Sequence, residues 1–378
     1  GVLDTEPGLL HPKLDGDRRW NVVATGLTSE VRDEIEELDI PGLTFEEYAI
    51  RSYPSGGVGG NLVGFVGSDE RIPLGDSSHT PAVDGTGIRL TIDPTIQHYA
   101  QEAAAEAAEE HEAEWASVVM MDVETGKILA ASEAPSVDPN APGSVDAEDR
   151  GSRIFTAGFE PGSTAKMITV AGLLEEDLLA PDDEFVVPDE WTAPNDEEIR
   201  DSSSHPDQKL TLAGILAESS NTGTILAGNE LSSDQRYDYM SRFGFGRSSD
   251  IGFPGETGGV LHPADEWDGR TKYTVMFGQG MTANAVQTTA AFAAIANGGV
   301  LPDSQLVAGT VDPSGRFTPA EVGQGTRVVS EDTSTQVLDM LEHVVVNGTA
   351  GNADVPGYRV GGKTGTAQAP AAEGGGYD

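Results

Sequence analysis

The 378-residue chain has six lysines, and only one of them follows a serine by three positions. That pair, Ser163 and Lys166, lies in EPGSTAKMITV (Glu160 to Val170). Pro161-Gly162 breaks the chain there, and the spacing predicts a helix opening at Ser163, with Met167, Val170, Leu173 and Leu174 on an apolar stripe. Residues three apart share a helix face, so the two side chains are expected to touch. A serine hydroxyl is a weak nucleophile until a base takes its proton. Lysine can be that base when burial or a second cation lowers its pKa. Free N–H groups at a helix start add a donor for an oxyanion. An exposed Ser and Lys on an ordinary helix would show the same spacing, so the pair by itself leaves both readings open.

Two more short motifs follow. AESSNTGT holds Ser219-Ser220-Asn221, and no other asparagine has a serine two positions before it. GGKTGTAQ holds Lys363-Thr364-Gly365-Thr366, the only K-T-G. Read blandly, these are a turn and an exposed edge strand. In the order S-x-x-K, S-x-N, K-T-G, separated by 56 and 144 residues, the trio resembles that of penicillin-binding proteins and class A β-lactamases. Each part has a physical task in such a site. Ser219 can relay a proton to a leaving amine. The Asn221 amide can bind a substrate amide and hold Lys166. Lys363 puts a positive charge in the cleft, lowering the pKa of Lys166 and attracting a carboxylate. Thr364 offers a hydroxyl to the same carboxylate. Gly365 has no side chain to block a substrate lying along the strand edge. The backbone N–H groups of Ser163 and Thr366 form the expected oxyanion hole.

Further segments resemble class B penicillin-binding proteins. RSYP (Arg51–Pro54) and VGFVG (Val63–Gly67) are similar to that family's pedestal region. LTIDPTIQ, TGKILA, DPNAP, FGQGMTANAVQ and AAIANGG are similar to its transpeptidase domain. IRDSSSHPDQKLTLAGILAESSN and the FGFG…GFPGE stretch resemble the actinobacterial septal member. The resemblance implies an α+β fold: a transpeptidase domain over residues 86–378, with an antiparallel sheet flanked by helices and an all-helical lobe, and a smaller N-terminal pedestal over residues 1–85. It implies a serine-type D,D-transpeptidase that cross-links peptidoglycan stem peptides during septal wall synthesis and is acylated by β-lactam antibiotics. It also implies an extracytoplasmic location, an upstream single-pass membrane anchor, and a septal glycosyltransferase and other division proteins as partners. The chain departs from the family pattern in having only four residues between VGFVG and IPLG, and only 12 after Thr366.

The elements that must position these residues are partly legible. Helices are expected at Ser29–Leu38, from Pro94 through the Ala/Glu-rich run, near Thr211–Glu218, over NAVQTTAAFAAIA, and over EDTSTQVLDMLEHVVV. GIRLTI reads as a strand, WASVVMMDVETGKILAASEAP as a β-hairpin, and YRVGGKTGTAQ as a strand. The balance of 22 basic against 63 acidic residues, a net charge of −41, argues against nucleic acid and against direct docking on anionic lipid. There is no cysteine, hence no disulfide and no thiol nucleophile. Seven scattered histidines lack the H-E-x-x-H spacing, and there is no phosphate-binding G-x-x-x-x-G-K loop, so neither metal nor organic cofactor is expected. The chain opens at Gly1 and holds no apolar run of about 18 residues, so any anchor is expected upstream. Three alternatives share the trio: a D,D-carboxypeptidase, a serine β-lactamase and a non-enzymatic β-lactam sensor. A β-lactamase needs a carboxylate that activates water. Glu175, Glu176, Asp182, Asp183 and Glu184 lie between the motifs, and nothing in the sequence marks one of them.

Overall fold

The computed structural model describes residues 21–24, 26–45, 52–65 and 85–367. Contacts divide the chain into two units, Gly1–Pro54 and Ser55–Asp378. The boundary expected near residue 85 borders the stretch 66–84, which lies outside the described residues. So do IPLG, Arg51 of RSYP, the end of VGFVG, and Gln368. In the first unit the expected helix forms as α1 (Ser29–Glu36), with the Thr28 hydroxyl accepting from the Val31 N–H at 3.4 Å.

In the second unit, β1 (Gly87–Leu90) leads into α2 (Pro94–Glu110). The Asp93 carboxylate caps α2 by accepting from the N–H groups of Thr95 (2.8 Å) and Ile96 (3.1 Å), with Pro94 at the first helical position. The expected hairpin forms from β2 (Ala116–Met121) and β3 (Ile128–Ala134). Helix α2 lies against it, and the buried Gln97 amide fastens the two by accepting from Ala131 N–H (2.8 Å) and donating to the Ala131 carbonyl (3.0 Å).

Next comes α3 (Lys166–Glu175). Every residue from Lys166 to Leu174 is buried, so α3 is a core helix rather than one with a single apolar stripe. Two small antiparallel pairs follow: β4 (Glu184–Val187) with β7 (Gln208–Thr211), and between them β5 (Glu190–Thr192) with β6 (Glu198–Arg200). Helices α4 (Leu212–Glu218), α5 (Asn221–Gly228) and α6 (Ser233–Arg242) come next. Helix α7 (Ala285–Ala296) starts from an Asn284/Gln287 capping box. Strand β8 (Val307–Val311) pairs with both β1 and β9 (Phe317–Pro319), and α8 (Glu331–Asn347) closes the core.

Helices α3, α5, α6 and α8 share one apolar cluster through Leu173, Ile225, Tyr239 and Leu341. A second cluster joins Ile128 of β3 and Val286 of α7 to Phe155, whose ring stacks on Phe253 at 4.2 Å. The result is the expected α+β class. The strand expected over YRVGGKTGTAQ is not formed among the described residues. That segment lies along α8 instead, with Gly362 N–H donating to the Leu341 carbonyl at 3.2 Å. A strand needs a ladder partner, and here its neighbour is a helix.

Candidate active site

The site assembles where three stretches of backbone touch. Residues Gly162–Ala165 form a 3₁₀ turn that opens directly into α3. Gly162 has φ +55°, and a Cβ there would lie 2.4 Å from the Thr366 carbonyl oxygen. The Gly162 N–H donates to the Gly278 carbonyl at 3.1 Å, and a Cβ on Gly278 would meet Gly162 O at 2.2 Å. These close approaches require glycine at both positions. They set the half-buried Ser163 at the rim of the K-T-G segment.

Lys166 is fully buried, with its ammonium nitrogen 5.8 Å from the centre of the Phe277 ring. Its Nζ donates to the Ser219 carbonyl and to Asn221 Oδ1 (2.8 Å), and lies 3.4 Å from Ser219 Oγ. Burial, reinforced by the Lys363 cation, pushes its pKa well below the ordinary lysine value; the Asp201 carboxylate opposes this. Burial acts against the charged form, while the two acceptor oxygens and Asp201 act for it. A neutral amine has two N–H donors and one lone pair. In that form Ser219 O and Asn221 Oδ1 would take the two donors, and the lone pair would face Ser219 Oγ or a reacting proton.

Ser219 ends α4 in the left-handed region, at φ 59° and ψ 32°. Glycine is the cheaper residue for such a cap, so a serine there is explained by its hydroxyl. Ser219 Oγ accepts from Lys363 Nζ at 2.7 Å. Asn221 then opens α5, and its Nδ2 donates to the Arg200 carbonyl at 2.9 Å. One amide therefore holds both Lys166 and the β6 edge.

Lys363 is largely buried, and desolvation lowers its pKa to about 8. Its Nζ also lies 3.3 Å from Thr364 Oγ1, which is 3.0 Å from Thr349 Oγ1. Gly365 packs on the nucleophile turn: a Cβ there would come within 3.0 Å of Thr164 Cγ2 and 3.3 Å of Pro161 O. Its missing side chain thus also lets K-T-G approach the nucleophile turn.

The three motifs, distant in sequence, therefore meet. Ser219, Asn221, Lys166 and Lys363 form one hydrogen-bonded chain, while Ser163, Gly365 and Thr366 lie at the turn beside it. The expected contact between Ser163 and Lys166 takes a different form. They stand one turn apart, but the hydrogen bonds of Lys166 among the described residues go to the S-x-N loop. The intervening turn is 3₁₀, not the α-helix that the spacing argument assumed.

Sequence reasoning missed Asp201 and His205, which hold that loop from behind. IRDSSSHPD contains no spacing rule that would single them out. The carboxylates weighed for water activation are occupied elsewhere or exposed. Glu175 caps α8, accepting from Ser330 N–H (2.9 Å) and Thr333 Oγ1. Burial raises its pKa, but the hydrogen bonds from Thr333 and Ser330 outweigh that and hold it low. Glu176 accepts from the Tyr239 hydroxyl at 2.7 Å. Asp183 accepts from the Ala180 N–H, and Asp182 and Glu184 are exposed.

The sequence profile described as "Penicillin binding protein transpeptidase domain" matches residues 116–378. The chain belongs to this family. Among relatives of this transpeptidase-domain chain, the penicillin-binding protein PbpB of Mycolicibacterium smegmatis is 30% identical over 394 residues, covering 94% of this chain and 60% of the relative. The peptidoglycan D,D-transpeptidase FtsI of Escherichia coli is 30% identical, covering 93% of this chain and 62% of its own length. The chain thus spans about three fifths of these relatives. The crystal structure of penicillin binding protein 3 from Mycobacterium tuberculosis complexed with ampicillin superposes with a TM-score of 0.81 at 32% identity, covering 87% of this chain and 77% of that one. Among the described residues, no helix is long and apolar enough to cross a membrane.

Proposed function

We propose that the protein is a serine-type D,D-transpeptidase that cross-links peptidoglycan stem peptides through an acyl-enzyme, and that β-lactams acylate the same serine. The observation that carries this reading is the buried Lys166 amine, held by Ser219 and Asn221 with its pKa lowered by burial and by Lys363.

Ser163 Oγ attacks the carbonyl of the penultimate D-Ala, and its proton passes to the Lys166 lone pair. The developing oxyanion is received by the N–H groups of Ser163 and Thr366. The C–N bond breaks, and the terminal D-Ala leaves as an amine after taking a proton from Lys166 by way of Ser219 Oγ. Lys363, with Thr364, binds the terminal carboxylate. An amine of a neighbouring stem then attacks the ester, Lys166 takes its proton, and Ser163 is released with its proton restored. The Asn221 amide positions the donor peptide. No step calls on a metal or an organic cofactor.

The names PbpB and FtsI, with the septal resemblance in the sequence, support a division role at the outer face of the membrane, alongside a glycosyltransferase. The occupied or exposed state of Glu175, Glu176, Asp182, Asp183 and Glu184 disfavours the β-lactamase reading, because general-base help to water is worth about 10²–10⁴-fold. The test is intact-mass analysis with penicillin and a chromogenic β-lactam. One penicilloyl group on Ser163, absent in Ser163→Ala, and a burst of one equivalent followed by a near-flat trace are expected. Sustained rapid turnover, or an adduct that persists in Ser163→Ala, would overturn it.

A further inference from the structure

Asp201 takes no part in the acyl transfer above, yet it ties down the loop that carries Ser219 and Asn221. Its side chain is 8% exposed. Oδ1 accepts from the N–H groups of Asn221 and Thr222, the latter at 3.0 Å. Oδ2 accepts from Ser220 Oγ at 2.6 Å and from Thr222 Oγ1 at 3.3 Å. One carboxylate thus receives the first free N–H groups of α5 and the hydroxyl of its N-cap residue, Ser220. The same Oδ2 lies 3.1 Å from His205 Nε2, whose ring partner Nδ1 donates to the Pro206 carbonyl at 2.8 Å. With oxygens at both nitrogens, the Pro206 carbonyl and then Asp201 raise the pKa of the ring.

Two groups at the site depend on this anchor. Ser219 is held in a left-handed conformation that a serine adopts reluctantly, two residues before the amide clamped by Asp201. Asn221 aims Oδ1 at Lys166 from the residue whose own N–H Asp201 receives. We propose that Asp201, braced by His205, is a positioning residue for acylation: it fixes Ser219 and Asn221 against Lys166 and supplies a negative charge that balances the local cations. This rests on the acyl-enzyme reading above. The charged groups around Asp201 are Lys166 on α3, Lys363 through Ser219, His205 on its own loop, Asp189 ahead of β5 and Glu218 at the end of α4, while the adjacent Arg200 pairs with Glu190 and Glu198.

The experiment follows β-lactam acylation of Ser163 against pH in wild type, Asp201→Asn and Asp201→Glu, with thermal stability measured alongside. Acylation needs neutral Lys166. Asp201 favours the Lys166 cation, so Asp201→Asn lowers the Lys166 pKa further. Its acid limb is expected to move to lower pH, while its plateau falls by as much as about 10²-fold through misplacement of the loop. Asp201→Glu keeps the charge but displaces the carboxylate, so its plateau falls with no shift of the limb. If Asp201→Asn loses stability but its folded fraction acylates with the wild-type plateau and limb, Asp201 is merely structural and the proposal is overturned. Should that variant not fold, a wild-type plateau in Asp201→Glu overturns the proposal by itself. Absence of any adduct on the wild-type protein would overturn the acyl-enzyme reading, and this proposal with it. An adduct on wild type with unchanged variants sinks this proposal alone.

Discussion

Two lysines with opposite requirements share the site. In the proposed acylation Lys166 must be neutral to accept the Ser163 proton, and its pKa is lowered by burial and by Lys363. Lys363 must be charged to hold a carboxylate, and burial brings its pKa to about 8. Acylation should therefore rise with pH as Lys166 deprotonates, then fall as pH passes about 8 and Lys363 loses its charge. The two limbs belong to the pair rather than to either residue. A rate that keeps climbing well above pH 8 would show that the Lys363 charge is not needed. Ser219 gives a second residue-scale expectation. Its φ of 59° is one that glycine adopts without penalty. Ser219→Gly should keep or raise thermal stability, by up to about 1–2 kcal/mol, while acylation falls because the hydroxyl between Lys166 and Lys363 is gone. A Tm drop with acylation intact would refute that assignment.

At the scale of elements, the site depends on how the nucleophile turn meets the K-T-G segment. Gly162 is the contact point: positive φ, and a carbonyl 2.4 Å from where its Cβ would stand. Gly162→Ala must strain the turn and push Lys363–Thr366 away. A cost of roughly 1–3 kcal/mol follows from backbone strain and overpacking. Denaturant unfolding would measure it, and the acylation rate should fall with it, since Ser163 and Thr366 separate. Wild-type stability and rate together would mean that the turn and the segment are not in contact. The sequence placed α2, α7 and α8 well because each carries an apolar stripe or a cap, and the β2–β3 hairpin because two apolar runs flank a Glu-Thr-Gly turn. It did not suggest β4 to β7, since three- and four-residue strands are too short to show a period. The K-T-G strand failed for the opposite reason: its pattern was strand-like, but the tertiary neighbour is α8.

Over the whole molecule, 63 acidic against 22 basic residues leave a net charge of −41. Such a charge destabilises the compact state through self-repulsion. Raising salt from about 0.1 M to 1 M shortens the screening length from about 10 Å to 3 Å. The Tm should rise over that range. A flat or falling Tm would mean that the acidic groups are locally compensated. The surface ion pairs, such as Arg242–Asp238 at 2.7 Å, are exposed and contribute little against this.

By itself the sequence determined which residue types are present for acyl transfer, because S-x-x-K, S-x-N and K-T-G each occur once and in order. It also determined the class of fold, since long helices with caps or apolar stripes and an apolar hairpin around a Glu-Thr-Gly turn are local patterns. Only the tertiary structure decided where the Lys166 amine stands. Lys166 is buried because α3 runs through the core, and Ser219 and Asn221, 53 and 55 residues away, converge on its amine, with Lys363 joined through Ser219. The role of Asp201 was invisible for the same reason. An aspartate in a polar loop has no periodicity, and its meaning comes from the helix start that the fold brings to it.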